Sequence, residues 1–188
     1  MRRLLPLLFM PALLAQAPKR LQLGEPLPAF TLTGTDGKVH ASADAKTPVV
    51  LVVFLSAECP VVRATEDRIN ALAKQYAGRM ATFGLNGNAS SYADESLGAM
   101  RGRSAAKGYA FPYLKDEGGR LVGAFGALCT PDFFLFDAQR TLAYHGRLDD
   151  AWGRPGASRQ DLEEAIKALL EGRRPDATQV PSRGCSIK

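Results

Sequence analysis

The residue that points most directly to chemistry is the cysteine within residues 56–60. Cys59 follows an apolar run, residues 49–55, and precedes apolar residues at helical spacing that continue to Gly78. The run predicts a buried strand, and the later pattern predicts a helix with Pro60 in its first turn. Free backbone N–H groups and the positive end of a helix dipole favour a thiolate at such a junction. We therefore interpret Cys59 as a nucleophile, with a buried structural cysteine as the alternative.

Two further cysteines, Cys129 and Cys185, bring the total to three. Three cysteines cannot all pair within one chain, so at least one is free, transiently paired or joined to another chain. An odd number of cysteines therefore favours a reactive thiol over a set of structural disulfides.

The first 17 residues have the three parts of a secretory signal. Two arginines precede an apolar stretch at residues 4–14, and residues 15–17 have a small-x-small pattern. The stretch is too short to cross a membrane as a helix, which takes about 20 apolar residues. We predict cleavage after Ala17 and export, most simply to a periplasm. Disulfides are possible in such an oxidising compartment.

The composition limits the kinds of molecule that the protein is expected to bind. The chain has 188 residues, with 24 Lys and Arg against 19 Asp and Glu, a net charge of +5. Removing residues 1–17 removes two arginines and lowers this charge to +3. So small an excess, without a basic patch interleaved with aromatic residues, argues against nucleic acid as a partner. The remaining length suits one domain, predicted at residues 18–175, followed by a tail at residues 176–188 without periodicity.

The predicted elements alternate between strands and helices. A hairpin is expected over residues 30–39, with its turn at Asp36 and Gly37. The other strands are expected at 49–55, 80–86, 111–114, 132–136 and 142–145. Helices are expected from residue 60 towards Gly78, at 94–107, at 121–125 and after a capping box at 158–161. This alternation predicts an α/β sandwich.

Several of these segments together resemble the thioredoxin-fold redoxins, and in particular the exported, peroxiredoxin-like proteins of the AhpC/TSA type. The matching pieces are "PAFTLTGTDGKVH", "PVVLVVFLSAECPVVRATEDRINALAKQY", "FPYLKDEGG", "CTPDFFLFDAQRTLAYHGRLDD" and "GCSIK". The resemblance implies a thioredoxin-like fold, with a central mixed β-sheet flanked by helices.

The same resemblance gives roles to individual residues. It places Cys59 at the first cysteine of the thioredoxin pair, which is also the peroxidatic position of peroxiredoxins. The second thioredoxin cysteine is replaced by Val62, so the usual local partner is absent. Ser56 stands at the peroxiredoxin threonine position. Pro131 stands where peroxiredoxins carry the arginine that polarises the peroxide, and it matches the cis-proline of thioredoxins instead.

Either distant cysteine could supply the missing second thiol. Cys129 lies two residues before Pro131, in a loop that passes close to the active cysteine in this fold. Cys185 lies in a glycine-containing tail that could reach the same place. We slightly prefer Cys129, because a loop held by the fold is positioned in advance, whereas a tail must first be ordered.

The sequence and the resemblance together favour an exported thiol oxidoreductase. Cys59 would attack a disulfide or a peroxide in a protein or small molecule, a distant cysteine would resolve the intermediate, and an external thiol would supply electrons. No cofactor and no stable membrane insertion are implied. One alternative is an antioxidant thiol peroxidase. Another is a non-catalytic module that holds a peptide or a metal, with Cys59, Cys129 and His145 as copper ligands.

Overall fold

The structure, a computed structural model, describes residues 20–176 and 179–188. The expected signal segment, residues 1–17, lies outside the described residues. The strands are β1 (Thr31–Thr33), β2 (Val39–Ala41), β3 (Val49–Phe54), β4 (Met80–Asn86), β5 (Tyr113–Lys115), β6 (Cys129–Thr130), β7 (Asp132–Phe136), β8 (Leu142–Gly146) and β9 (Cys185–Ser186). The α-helices are α1 (Pro60–Gln75), α2 (Leu97–Lys107), α3 (Arg120–Phe125) and α4 (Asp161–Leu170). No helix in the described ranges is long and apolar enough to cross a membrane.

The centre of the fold is a mixed five-stranded sheet in the order β5-β4-β3-β7-β8. The middle strand, β3, pairs with β4 in parallel and with β7 in the antiparallel sense. Every residue of β3 is buried, because alternate side chains enter two apolar clusters on opposite faces. One cluster contains residues of α1 and α4, and the other contains residues of α3. The predicted mixed sheet flanked by helices is therefore confirmed.

The predicted hairpin near the start of the domain is also present. Strands β1 and β2 pair in the antiparallel sense, with Leu32 opposite His40. Gly37 lies in the connecting turn with a φ of 78°, a left-handed conformation that glycine adopts without steric cost.

Two predicted helix starts are wrong. Ser158 does not cap α4, because its hydroxyl and its N–H both bond to the carboxylate of Asp150, and α4 begins at Asp161. The helix expected from residue 94 is divided in two. The side chain of Ser96 accepts a hydrogen bond from the N–H of Ala99 and so starts α2, while a separate 3-10 turn, Ala93–Glu95, precedes it.

The two shortest strands were not predicted, and they place the tail on the domain. Strands β6 and β9 form an antiparallel pair in which Thr130 lies opposite Cys185 and Cys129 opposite Ser186. The contact beside this pair is close. A Cβ atom at Gly184 would lie 1.9 Å from the carbonyl oxygen of Thr130, so only glycine fits there. The tail expected to lack regular structure is thus ordered against β6 at residues 185–186.

Candidate functional site

The site is built around Cys59, which lies between the end of β3 and the start of α1. It is the N-cap residue of α1, with Pro60 as the first helical residue. Its side chain is only 1% exposed. In the protonated form, the Sγ atom donates a hydrogen bond to the carbonyl oxygen of Thr130, 3.0 Å away. This thiol therefore lies at a strand-to-helix junction, as the sequence predicts.

Ser56 connects the backbone of Cys59 to a buried acid. Its Oγ atom accepts a hydrogen bond from the N–H of Cys59 at 3.2 Å. The same hydroxyl donates to the carboxylate of Glu95. Ser56 thus holds the loop that ends at Cys59, which is a positioning role.

Glu95 is a site residue that sequence reasoning missed. It is 1% exposed and accepts hydrogen bonds from the Ser56 hydroxyl and from the amide of Asn86. Its carboxylate also accepts from two backbone N–H groups of the loop before Cys59, Glu58 at 3.2 Å and Ala57 at 3.4 Å. A single acidic residue in a polar loop belongs to no recognisable motif. Its position next to the loop before Cys59 is therefore visible only in the folded structure.

The polar network continues from Glu95 towards the tail. Lys115 is buried, and burial lowers the pKa of its ammonium group. The Lys115 ammonium donates to the side-chain oxygen of Asn86, 3.5 Å away, and to the carbonyl of Asn88. The side-chain oxygen of Asn88 in turn accepts the N–H of Lys188 at 2.7 Å. The loop behind Cys59 and the tail are therefore parts of one hydrogen-bonded unit.

The loop that faces Cys59 contains a cis peptide bond between Thr130 and Pro131. The bond before Pro131 is thus cis, as the resemblance to the thioredoxin cis-proline implies. Thr130 contributes its carbonyl to the Cys59 thiol and pairs with Cys185 across β6 and β9. The loop thus brings Cys59 and the tail together.

The geometry does not support the preference for Cys129 over Cys185. Residues directly opposite each other in a strand pair point to the same face, and the next residue points to the other face. Cys185 lies opposite Thr130, whose carbonyl accepts a hydrogen bond from the Cys59 thiol, and it lines the same cleft as Cys59. Cys129 is the next residue along β6. Its thiol lies 3.8 Å from the carbonyl oxygen of Pro131 and lines a separate cleft with Asp132 and His145.

The three thiols differ in acidity. Burial acts to raise the pKa of Cys59, but hydrogen bonds from the Cys185 side chain and from the N–H groups of Val62 and Cys185 outweigh it, so the pKa is lowered. Burial, together with the hydrogen bond to Cys59 and its charge, raises the pKa of Cys185 to about 11. Burial and the nearby Asp132 carboxylate raise the pKa of Cys129 to about 12. Cys59 is therefore the thiol that ionises first.

The tail is anchored on both sides of Cys185. Before it, the Arg183 guanidinium lies 4.8 Å from the ring centre of Trp152, and the Ser182 hydroxyl donates to the carbonyl of Gly146 at 2.6 Å. After it, the Lys188 ammonium lies 4.9 Å from the ring centre of Tyr92. The docked position of Cys185 thus rests on contacts at several points.

A cleft of about 220 Å³ remains open beside the thiol pair. Its lining includes Glu58, Tyr92 and Glu95 from the domain and Ser186 from the tail, in addition to both cysteines. This volume is below the roughly 300–1,000 Å³ of pockets that take drug-sized ligands. The cleft therefore suits a molecule of a few heavy atoms.

The copper-binding alternative gains no support from the geometry. His145 hydrogen-bonds to Asp132 at 3.1 Å and stacks on the Phe134 ring, with ring centres 4.1 Å apart. Within residues 20–176 and 179–188, no three His, Cys, Asp or Glu side chains are grouped so that they could hold a metal ion.

The sheet order and a cysteine at the start of α1, facing a loop with a cis-proline, define a thioredoxin-fold thiol protein. The sequence profile of the AhpC/TSA family matches residues 23–145. The chain belongs to this family, which indicates an oxidoreductase. Among functionally curated proteins, none matches the chain.

Solved structures agree with this assignment. A hypothetical protein from Sinorhizobium meliloti is 39% identical, with a TM-score of 0.84, over 90% of this chain and 96% of that one. An uncharacterised conserved protein from Geobacillus kaustophilus is 35% identical, with a TM-score of 0.84, over 89% and 92%. The exposed lipoprotein thioredoxin of Streptococcus pneumoniae is 21% identical, with a TM-score of 0.60, over 76% and 100%, and shares the fold.

Proposed function

We propose that the protein is an exported thiol-disulfide oxidoreductase in which Cys59 is the nucleophile and Cys185 the resolving cysteine. The observation that carries the proposal is the placement of Cys185 opposite Thr130, whose carbonyl oxygen accepts a hydrogen bond from the Cys59 thiol, so that both cysteines line one cleft at the N-terminus of α1. The lowered pKa of Cys59 supports its role as the attacking group, since the thiolate is the nucleophile.

The reaction with a disulfide has two steps. The Cys59 thiolate attacks one substrate sulfur, forming a mixed disulfide and releasing the other substrate sulfur as a thiolate. Cys185 then loses its proton and attacks the Cys59 sulfur, which forms the 59–185 disulfide and releases the second substrate thiolate. The substrate is reduced by two electrons and the cysteine pair is oxidised.

An external dithiol would return the pair to its reduced form. Attack on the Cys185 sulfur is favoured for two reasons. Cys185 is the more accessible of the two cysteines, and the leaving group is then Cys59, whose pKa is lower.

Peroxidase activity is the second candidate, and the small size of the cleft beside Cys59 favours it. The thiolate would take one oxygen of a hydroperoxide, giving a sulfenic acid and an alcohol or water. Condensation with the Cys185 thiol would then release water and form the same 59–185 disulfide. Peroxidase activity is the second candidate because Pro131 stands where peroxiredoxins carry the arginine that polarises the peroxide.

Peptide mapping after mild oxidation tests the proposed pair. The wild type and Cys129→Ser are expected to form a 59–185 disulfide, whereas Cys185→Ser is expected to accumulate a mixed disulfide or a sulfenic acid at Cys59. Treating the reduced protein separately with a reporter disulfide and with hydrogen peroxide, and trapping Cys59 adducts for mass spectrometry, distinguishes the two candidates. A 59–129 linkage in the wild type would overturn the assignment of Cys185. If Cys59 forms no adduct with either oxidant, the catalytic proposal fails.

A further inference from the structure

The tail occupies the strand edge along which a polypeptide substrate would align. A chain that adds to an exposed strand edge uses the backbone N–H and C=O groups of that edge. Here β6 offers such an edge directly before Pro131, and β9 already pairs with it in the antiparallel sense. Cys185, opposite Thr130, stands where the reacting sulfur of a bound polypeptide would stand.

The fit of the tail on β6 is too close for a second strand to enter between them. Gly184 packs directly on the carbonyl oxygen of Thr130, without room for a Cβ atom. Beyond β9, the N–H of Ala89 donates to the carbonyl of Lys188 at 2.8 Å. Anchors at Arg183 and Lys188 hold the segment at both ends.

The route that remains to Cys59 is the cleft between the tail and the 3-10 turn Ala93–Glu95. With a volume of about 220 Å³, it has the size of a small molecule, whereas a chain aligned along β6 would have to displace the tail. Since Cys59 is 1% exposed, approach from elsewhere would require the tail to move.

We infer that the docked tail determines the substrate class: small-molecule oxidants with an S–S or O–O bond reach Cys59 through the cleft, and extended polypeptides are excluded. The inference rests on the proposed thiol activity. The tail therefore both resolves the intermediate and selects the substrate.

Gly184→Ala is the variant that tests this inference. The added methyl group clashes with the Thr130 carbonyl and displaces β9, while Cys185 and the buried core are unchanged. Gly102→Ala on α2 is the matched control, because a Cβ atom there meets nothing within 4 Å. The double variant Arg183→Ala, Lys188→Ala loosens the tail by a second route. Fluorescence of the single tryptophan, Trp152, reports docking because Arg183 stacks on it.

The rate of Cys59 thiol loss is measured by mass spectrometry with three probes: hydroxyethyl disulfide, hydrogen peroxide and the disulfides of insulin. The wild type and Gly102→Ala are expected to react with a small probe and poorly with insulin. Displacing the tail should raise the ratio of the insulin rate to the small-probe rate by about tenfold or more, because a substrate excluded by the docked state reacts only with the undocked fraction.

Each outcome decides a separate point. If the wild type reacts with insulin and the ratio is unchanged in both tail variants although their Trp152 fluorescence reports undocking, the inference is overturned. If fluorescence shows that neither variant displaces the tail and insulin nevertheless reacts readily, the tail is no barrier and the inference falls as well. If Cys59 of every variant is inert to all three probes, the proposed function itself fails, and the inference falls with it.

Discussion

At Cys59, burial and hydrogen bonding act on the thiolate in opposite directions. Desolvation favours the neutral thiol, whereas the donors around it favour the anion. The donors prevail, and one of them is the thiol that we propose as the resolving group. The reactivity of Cys59 thus depends on a residue more than a hundred positions away in the chain.

Replacing Cys185 by alanine is expected to raise the pKa of Cys59, because a donor to its thiolate is lost. The fraction of thiolate, and with it the rate of attack, then falls at any pH below the new pKa. Cys185→Ser keeps a hydroxyl donor and should raise the pKa less. The pKa is read from the ultraviolet absorbance of the thiolate, with Cys59→Ser as the blank and Cys129→Ala as the control. An unchanged pKa in Cys185→Ala would show that the hydrogen bond does not stabilise the anion.

Glu95→Ala is expected to lower the free energy of unfolding by about 2–4 kcal/mol, because buried donors around Ser56 and Asn86 lose their acceptor. Asp94→Ala is the matched control. Asp94 lies next in sequence but is exposed, and its ion pair with Arg63 is long at 3.5 Å, so its loss should cost at most about 0.5 kcal/mol. Urea denaturation measures both values. Equal effects of the two substitutions would show that the Glu95 carboxylate does not stabilise the fold.

Among the elements, the long ones could be predicted from sequence because their signals are local. The apolar run at β3 and the apolar residues at helical spacing along α1 each identify an element without reference to the rest of the chain. Strands β6 and β9 have two residues each, and they exist only because distant segments pair. The choice between Cys129 and Cys185 depended on that pairing, and so did the link from Ser56 to Glu95. Neither could be derived from residue types and spacing.

Helix α1, which presents Cys59 at its N-terminus, is fastened to α2 by a buried acid. Glu66 is 1% exposed, and its carboxylate accepts from Arg103 at 2.8 and 3.0 Å. Lys107, on the same face of α2, lies 3.0 Å away, and the Tyr109 hydroxyl donates at 2.7 Å. The hydrogen bond from Tyr109 also stabilises the negative charge of Glu66. The orientation of α1 is therefore set by polar contacts as well as by its apolar face.

Glu66→Ala is expected to lower the free energy of unfolding by about 3 kcal/mol, because removing one partner of a buried ion pair leaves the others uncompensated. Asp67→Ala is the control: its side chain is 76% exposed and pairs with Lys107 at 3.2 Å, so the expected loss is within about 0.5 kcal/mol. A double-mutant cycle with Arg103→Ala isolates the pair. Additive losses in that cycle would contradict the coupling.

For the whole molecule, oxidation of the proposed pair closes a loop of more than a hundred residues. A cross-link across so long a loop is expected to raise the free energy of unfolding by about 4 kcal/mol, since it restricts the unfolded chain. Guanidinium denaturation of the oxidised and reduced forms measures the difference. The gain should persist in Cys129→Ser and disappear in Cys185→Ser. Equal stability of the oxidised and reduced wild type would argue against a 59–185 bond.

Export remains a prediction from residues 1–17. Intact-mass analysis of protein recovered from an exporting host is expected to show a chain that begins after Ala17. Replacing the apolar residues 4–14 by polar ones should retain the full-length chain inside the cell. A recovered protein that still carries Met1 would contradict cleavage.

The pairing of β9 with β6 determines at which stage of folding Cys185 reaches Cys59. Cys59 gains its partner only after the sheet has formed, the Thr130-Pro131 loop lies over α1 and the tail has docked. Before that, the chain carries three independent thiols, and none of them has the surroundings that favour ionisation. In the proposed function, turnover therefore requires the complete tertiary structure, so a partly folded chain can be oxidised by accident but cannot act as a catalyst.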